Sequence, residues 1–391
     1  MKTILLGALC FLLTLTSFGQ DRYTISGYLK DAKNGEALIG ATVYVDEISN
    51  GTITNAYGFY SITLPKNEYN IRYQYIGYQD IREKVELGKN IQLNQELNLV
   101  DKQLEEVIVT SEAIDKNVSS IEMSVAELDI KSIEKIPAFA GEVDIVKSIQ
   151  LLPGVSTVGE GASGFNVRGG SVGQNLVLLD EAPVYQSSHL FGFFSVFNPD
   201  AVKDVKLYKG GIPSAYGGRL SSILDIRMKE GNNKEFDVTG GIGTIFSRIA
   251  VEGPIQKDKS SFIVAARRSY GDIIAKAFTD VLDNGAGLYF YDITAKTNFK
   301  INDKNRVYLS GYFGRDVFKF DAVQGFDWGN QTATLRWNHV YGNRLFSNYT
   351  LFYSNYDYGF SFGDDDKDKF DWKSKIVTYN FKPEFTWFMN T

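Results

Sequence analysis

The sequence predicts a mainly β chain in three parts: a small N-terminal β-sandwich, an α/β unit with tight glycine turns, and antiparallel strands that cross a membrane as a β-barrel. Three observations carry this. The 391 residues include 23 Tyr, 27 Phe and 37 Gly, a composition suited to strands and to membrane interfaces. Apolar and polar residues alternate over long stretches after residue 235, as transmembrane strands require. No apolar run approaches the roughly 18 residues of a helical span, so any crossing has to be made by closed strands.

The leader MKTILLGALCFLLTLTSFGQD starts with Lys2 and runs apolar from Ile4 to Leu15. It sets Ser17 and Gly19 at the −3 and −1 positions of a cleavage site before Gln20. It reads as a secretory signal peptide over residues 1–19. The only cysteine, Cys10, lies inside it, so the exported chain needs no disulfide. A net charge of −6 without a basic block excludes nucleic acid as a partner.

Residues 20–100 read as short strands separated by turns at Asn34-Gly35 and Tyr57-Gly58, the pattern of a β-sandwich. In YNIRYQYIGYQ, Tyr69, Ile71, Tyr73 and Tyr75 fall on one face and Asn70, Arg72 and Gln74 on the other. The order of DAKNGEALIGATVYV, GTITNAYGFYSI and YIGYQ resembles the carboxypeptidase-regulatory-like domain, a transthyretin-like sandwich. A zinc peptidase needs closely spaced ligands. The two histidines, His189 and His339, are far apart in sequence and neither starts such a motif. Neither a metal site, a cofactor nor an enzymatic activity is expected.

Residues 112–231 read as a compact α/β unit. Ile145, Val146, Ile149 and Leu152 form one apolar helical face, stopped by Pro153-Gly154. FNVRGG is a strand entering a glycine turn, and NLVLLD is apolar enough for a strand buried on both faces. AVKDVKLYKGGIPSAYGGRLSSILDIRMKEG repeats the strand–turn–strand pattern.

Residues 232–391 alternate as barrel strands do. Ile293, Ala295 and Phe299 oppose Asp292, Thr294, Lys296 and Asn298. Leu335 and Trp337 oppose Thr334, Arg336 and Asn338, and Tyr379, Phe381 and Phe385 oppose Asn380, Lys382 and Glu384. Short connections at QKDK, NDKN and Gly342-Asn343 alternate with long ones at 271–287, 314–328 and 359–370, the outer-membrane arrangement. GGIGT at 240–244 reads as strand rather than phosphate loop. DDDKDK at 364–369 reads as a solvated loop.

LLPGV, FNVRGG, NLVLLDEAPVY and LFGFFSVFNPDAVKDVKLYKGGIPSAYGGRLSSILDIRMKEG resemble the plug domain of TonB-dependent outer-membrane receptors of the Bacteroidetes type. The resemblance covers residues 22–391 as accessory sandwich, plug and barrel strands. About eight strands are expected, too few to enclose a plug. The family implies about twenty-two, so the chain is expected to be the N-terminal part of a longer receptor. The resemblance also implies an outer-membrane location, lipid contact, a periplasmic sandwich, and energy from TonB with the inner-membrane ExbB/ExbD motor. TonB adds an extended segment to its own sheet edge. LEEVIVTS, in the linker over 101–111, resembles that TonB box through Glu105, Glu106, Val107, Ile108, Val109 and Thr110.

Arg168, Gly169, Gly170, Asp180 and Arg219 match the plug motif, the arginines being expected to meet carboxylates of the barrel wall. In YQSSHLFGFFSVF, Tyr185, His189 and Phe191 are the expected substrate-facing residues. The implied function is import of a scarce large nutrient, a ferric siderophore or similar chelate. The alternatives are import of a glycan or oligopeptide with a surface lipoprotein, or a surface signalling receptor or adhesin.

Overall fold

The computed structural model describes residues 21–100, 124–136, 143–159, 164–273, 286–319, 324–363 and 369–389. The leader, the LEEVIVTS segment and residues 364–368 of the acidic run lie outside them.

The first unit is a two-sheet sandwich. Its strands are β1 (Arg22–Asp31), β2 (Thr42–Val45), β3 (Asn50–Ile53), β4 (Phe59–Pro65), β5 (Asn67–Gln74), β6 (Ile81–Leu87), β7 (Ile91–Gln92) and β8 (Gln95–Leu97). One sheet centres on β1, paired with β4, β7 and β8, and the other runs β3-β2-β5-β6. The period-2 pattern of β5 turns Tyr69, Ile71 and Tyr73 inward, where they meet Ile25, Leu29, Val43 and Tyr60. Asn70 and Arg72 are left at the surface.

The second unit contains β9 (Val125–Asp129), α1 (Ile130–Ile133), α2 (Ile145–Gln150), β10 (Val155–Thr157), β11 (Phe165–Val167), β12 (Asn175–Leu179), β13 (Ala182–Pro183), β14 (Ser188–His189), β15 (Phe194–Ser195), β16 (Val202–Tyr208) and β17 (Ser222–Met228). Its main sheet has the order β13-β12-β17-β16-β9, with β12 parallel to β17. Asp144 caps α2 by accepting from the Lys147 amide at 2.9 Å, the N-cap role. The predicted apolar face, Ile145, Val146 and Ile149, packs on Val205, Leu207, Leu224 and Ile226.

The third unit is one antiparallel sheet of eight strands: β18 (Asp237–Ile242), β19 (Phe246–Gln256), β20 (Ser260–Ser269), β21 (Gly287–Asn302), β22 (Asn305–Lys319), β23 (Gly325–Gly342), β24 (Leu345–Phe362) and β25 (Phe370–Trp387). GGIGT supplies the end of β18, as read from sequence. Two outer connections are shorter than expected: β22 and β23 leave only 320–324 between them, and β24 and β25 only 363–369. Alternation there is masked because Arg315 and Asp327 point outward while Phe318 and Phe326 stack on the inner face.

The sheet wraps around the second unit. Asp292, Thr294, Lys296, Asn298, Thr334, Arg336 and Asn338 are buried against it. Leu309, Leu335, Leu351 and Phe381 form a continuous exposed cross-strand row on the other side. Aromatic groups flank that row, with Trp337 stacked on Tyr349 near the short turns and Tyr291 near Phe313 toward the other end. This is the apolar band with two aromatic girdles of an outer-membrane barrel. We predict that Leu335→Lys, at the middle of the row, destabilises the bilayer-inserted protein by about 2–4 kcal/mol in a lipid-vesicle unfolding titration.

Candidate functional site

Residues 180–191 of the inner unit climb the barrel wall and bond to it at successive levels. At the bottom, Asp180 and Glu181 form the two-residue turn between β12 and β13. Both have positive φ, 46° and 75°. A turn of this kind ordinarily takes Asn-Gly or Asp-Gly, so a glutamate there is strained. The strained turn holds two carboxylates against the wall.

The wall answers with cations. Lys296 Nζ lies 3.0 Å from Asp180 Oδ2. Arg336 Nη2 lies 3.1 Å from Glu181 Oε1, and Lys382 Nζ lies 3.6 Å from Oε2. Arg227 of β17 approaches the same carboxylate at 3.4 Å while pairing with Asp225 at 3.1 Å. Burial alone would raise both carboxyls. Arg336, Arg227 and Lys382 outweigh it and hold Glu181 well below the usual carboxylate range, and Lys296 with Arg336 does the same for Asp180.

Higher up, Ser354 Oγ donates to the Pro183 carbonyl at 2.6 Å. The Tyr185 hydroxyl meets Thr378 Oγ1 at 2.7 Å, and Asn330 Nδ2 donates to the Gln186 carbonyl at 2.8 Å. His189 is then clamped between two carboxylates, Nδ1 at 2.7 Å from Asp316 and Nε2 at 3.1 Å from Asp292, with Phe290 stacked on its ring at 4.3 Å. Both ring nitrogens face acceptors, an arrangement that fits the imidazolium. Burial opposes that charge, but Asp316 and Asp292 prevail and raise the His189 pKa.

At the top, Leu190, Phe191 and Gly192 all have positive φ. This backbone projects Phe191 toward Trp328 and Phe318, with ring centroids 5.0 and 5.3 Å away. Phe191, Gln186, Phe326, Trp328, Tyr356 and Tyr358 line a cavity of about 200 Å³. Trp328 Nε1 is itself buried, without a hydrogen-bond partner among the described residues.

The site residues expected from sequence are therefore divided. Phe191 borders the cavity, whereas Tyr185 and His189 are bonded to the wall, because carboxylates and hydroxyls of β21, β22 and β25 reach them first. Asp180 is at the seam, but the expected charge arrangement is reversed: inner carboxylates meet wall cations. Arg168 Nη2 donates to Ser124 Oγ and Arg219 Nη1 to the Gly218 carbonyl, so among the described residues neither arginine meets a wall carboxylate. Gly169 has a φ of 79°, which backbone geometry accounts for, and a Cβ on Gly170 would lie 2.3 Å from Ser221 Oγ, so close packing accounts for the second. Glu181 was missed, although adjacent acids in a hairpin turn were a visible signal. His339 faces outward beside Trp337 and Tyr341. No metal-holding cluster occurs among the described residues.

Two outcomes follow. Glu181→Gln leaves buried Arg336 underpaired and lowers stability by about 3–5 kcal/mol in denaturant unfolding above pH 5. Because the His189 pKa is raised on folding, its stabilisation is full below about pH 6.5 and is lost as pH rises through the folded value. The melting-temperature gap between wild type and His189→Gln should therefore narrow with rising pH.

Comparison with known proteins agrees with this architecture. Residues 25–109 match the carboxypeptidase-regulatory-like domain and residues 118–222 the TonB-dependent receptor plug domain. The TonB-dependent receptor SusC of Bacteroides thetaiotaomicron is 25% identical over 245 residues, which are 59% of this chain and 23% of that protein. The chain thus spans under a quarter of that relative's length. Among solved structures, the copper transporter OprC shares the fold, with a TM-score of 0.50 and 12% identity over 68% of this chain and 43% of its own. The siderophore receptor PirA from Acinetobacter baumannii gives a TM-score of 0.48 and 15% identity over 68% of this chain and 45% of its own. A carboxypeptidase-regulatory-like sandwich, then a TonB-dependent receptor plug, then barrel-type strands, together with the likeness to SusC, support a TonB-dependent outer-membrane receptor of the Bacteroidetes type.

Proposed function

We propose that this receptor imports a large ring-bearing nutrient through a barrel that the plug holds shut, with TonB supplying the work. The observation that carries the reading is the seam over 180–191, where buried ion pairs and hydrogen bonds fix the plug to the wall. Breaking one buried pair costs about 3–5 kcal/mol, so opening this path needs an external energy source. Val107 to Thr110, preceded by Glu105 and Glu106, offer the β-branched segment that a partner's sheet edge can take. The two acids keep that segment from pairing indiscriminately.

The aromatic cavity under Phe191 supports a cargo with flat ring faces. A ferric siderophore or similar chelate bearing aryl groups is the cargo we favour. A glycan handed over by a surface lipoprotein is the second reading, favoured by the sandwich domain that such receptors share.

Growth of a deletion strain on defined iron, glycan and peptide sources identifies the cargo and separates the two. With labelled cargo, removal of residues 105–110 should abolish uptake and leave surface binding unchanged, and wild-type uptake would refute the TonB role. Trp328→Ala should weaken cargo binding by about 2 kcal/mol, roughly 30-fold, as loss of an aromatic anchor does.

A further inference from the structure

The sandwich is docked onto the barrel. Its β3–β4 turn inserts Tyr57, 8% exposed, between the short-turn end of the wall and the Glu181 turn. Tyr57 stacks on Phe346 of β24 at 5.4 Å, and Phe59 stacks on Phe346 at 5.5 Å. The Arg336 guanidinium lies 5.5 Å from the Tyr57 ring centre. The Tyr57 hydroxyl donates to Glu181 Oε1 at 3.2 Å, the same oxygen that Arg336 holds.

Polar contacts surround this wedge. Ser61 Oγ donates to the Asn343 carbonyl at 2.5 Å, and Arg344 Nε donates to Thr24 Oγ1 at 3.2 Å, both at the β23–β24 turn. Lys203 of the plug donates to the Ala37 carbonyl at 2.5 Å. The amides of Glu230 and Asn233, between plug and barrel, donate to Glu36 Oε1 at 2.7 Å and the Asn34 carbonyl at 2.9 Å. One face of the sandwich therefore grips plug, connection and wall together.

Connectivity gives the contact a consequence. The sandwich strands end at Leu97 and the first plug strand begins at Val125. Residues 105–110 lie between them, so tension on that segment acts on both flanks. Phe346 and Val340, the wall residues under Tyr57, are nearer the β23–β24 turn than Arg336 and Thr350, which sit at the level of Glu181. Tyr57 therefore stands in the path by which the Glu181 turn would leave toward the periplasm.

We propose that the docked sandwich is a latch on the plug, with Tyr57 as its bolt, and that it must leave the barrel before the plug can be withdrawn. The inference rests on the importer reading above. The test is a reversible lock in the full receptor; the 391 residues contain one natural cysteine, Cys10 in the leader. Ser61→Cys with Asn343→Cys ties the sandwich to the wall. Gly35→Cys with Asn233→Cys is a second tie, because a Cβ on Gly35 would lie 2.4 Å from Asn233 Cγ. The expected result is that at least one bond forms in the resting receptor, on a non-reducing gel. Uptake should then fall at least tenfold when oxidised, return with reductant, and leave cargo binding unchanged. Failure of both bonds to form, or wild-type uptake by the oxidised receptor, overturns the latch. A receptor lacking 105–110 tests the importer reading separately: if it still takes up cargo, that reading fails whatever the locked variants do.

Discussion

Two carboxylates on one strained turn, Asp180 and Glu181, are taken out of water and answered by Lys296, Arg336 and Lys382 of the barrel wall. The other parts of the structure are arranged around that pairing. The left-handed turn exists to aim the acids. Arg227 steadies Glu181 from within the plug, and Tyr57 closes it from the sandwich side. Buried pairs of this sort contribute little net stability compared with a well-packed apolar seam, but losing one partner is costly. That asymmetry suits the proposed importer, in which the plug stays seated at rest and comes away under a directed pull.

Above the charged turn the seam changes chemistry. Hydroxyl and amide contacts at Tyr185 and Gln186 give way to the His189 clamp and then to the aromatic cavity under Phe191. Cargo seated against Phe191 would press on backbone only two residues from the imidazole bound to Asp316 and Asp292. Occupancy at the top and attachment to the wall are thus separated by very little chain.

Much of this was legible in the sequence because each region obeys one period. The alternation of Tyr69, Ile71 and Tyr73, the helical spacing of Ile145, Val146 and Ile149, and the opposition of Lys296 to Ile293 and of Arg336 to Leu335 all appear in the fold. What stayed hidden depends on partners remote in the chain. Nothing local to His189 indicates that Asp292 and Asp316 will enclose it, so it looked free to meet a ligand. Nothing local to Arg168 or Arg219 says that plug acids, rather than plug arginines, carry the seam. Tyr57 read as a turn residue, and it is one, but its ring belongs to the barrel floor. The outer ends of β22 and β23 were obscured because Arg315 reaches across Gly329 to pair with Asp357, which puts charge on an outward face.

In the proposed importer the Glu181–Arg336 pair must break when the plug is pulled from residues 105–110. Single-molecule pulling on that segment of the membrane-inserted receptor tests it most directly, with wild type, Glu181→Gln, Arg336→Met and the double variant compared. Either single change should lower the first rupture force, and the double change should lower it by much less than the two effects added together. Equal rupture forces in all four proteins, or fully additive losses, would contradict it.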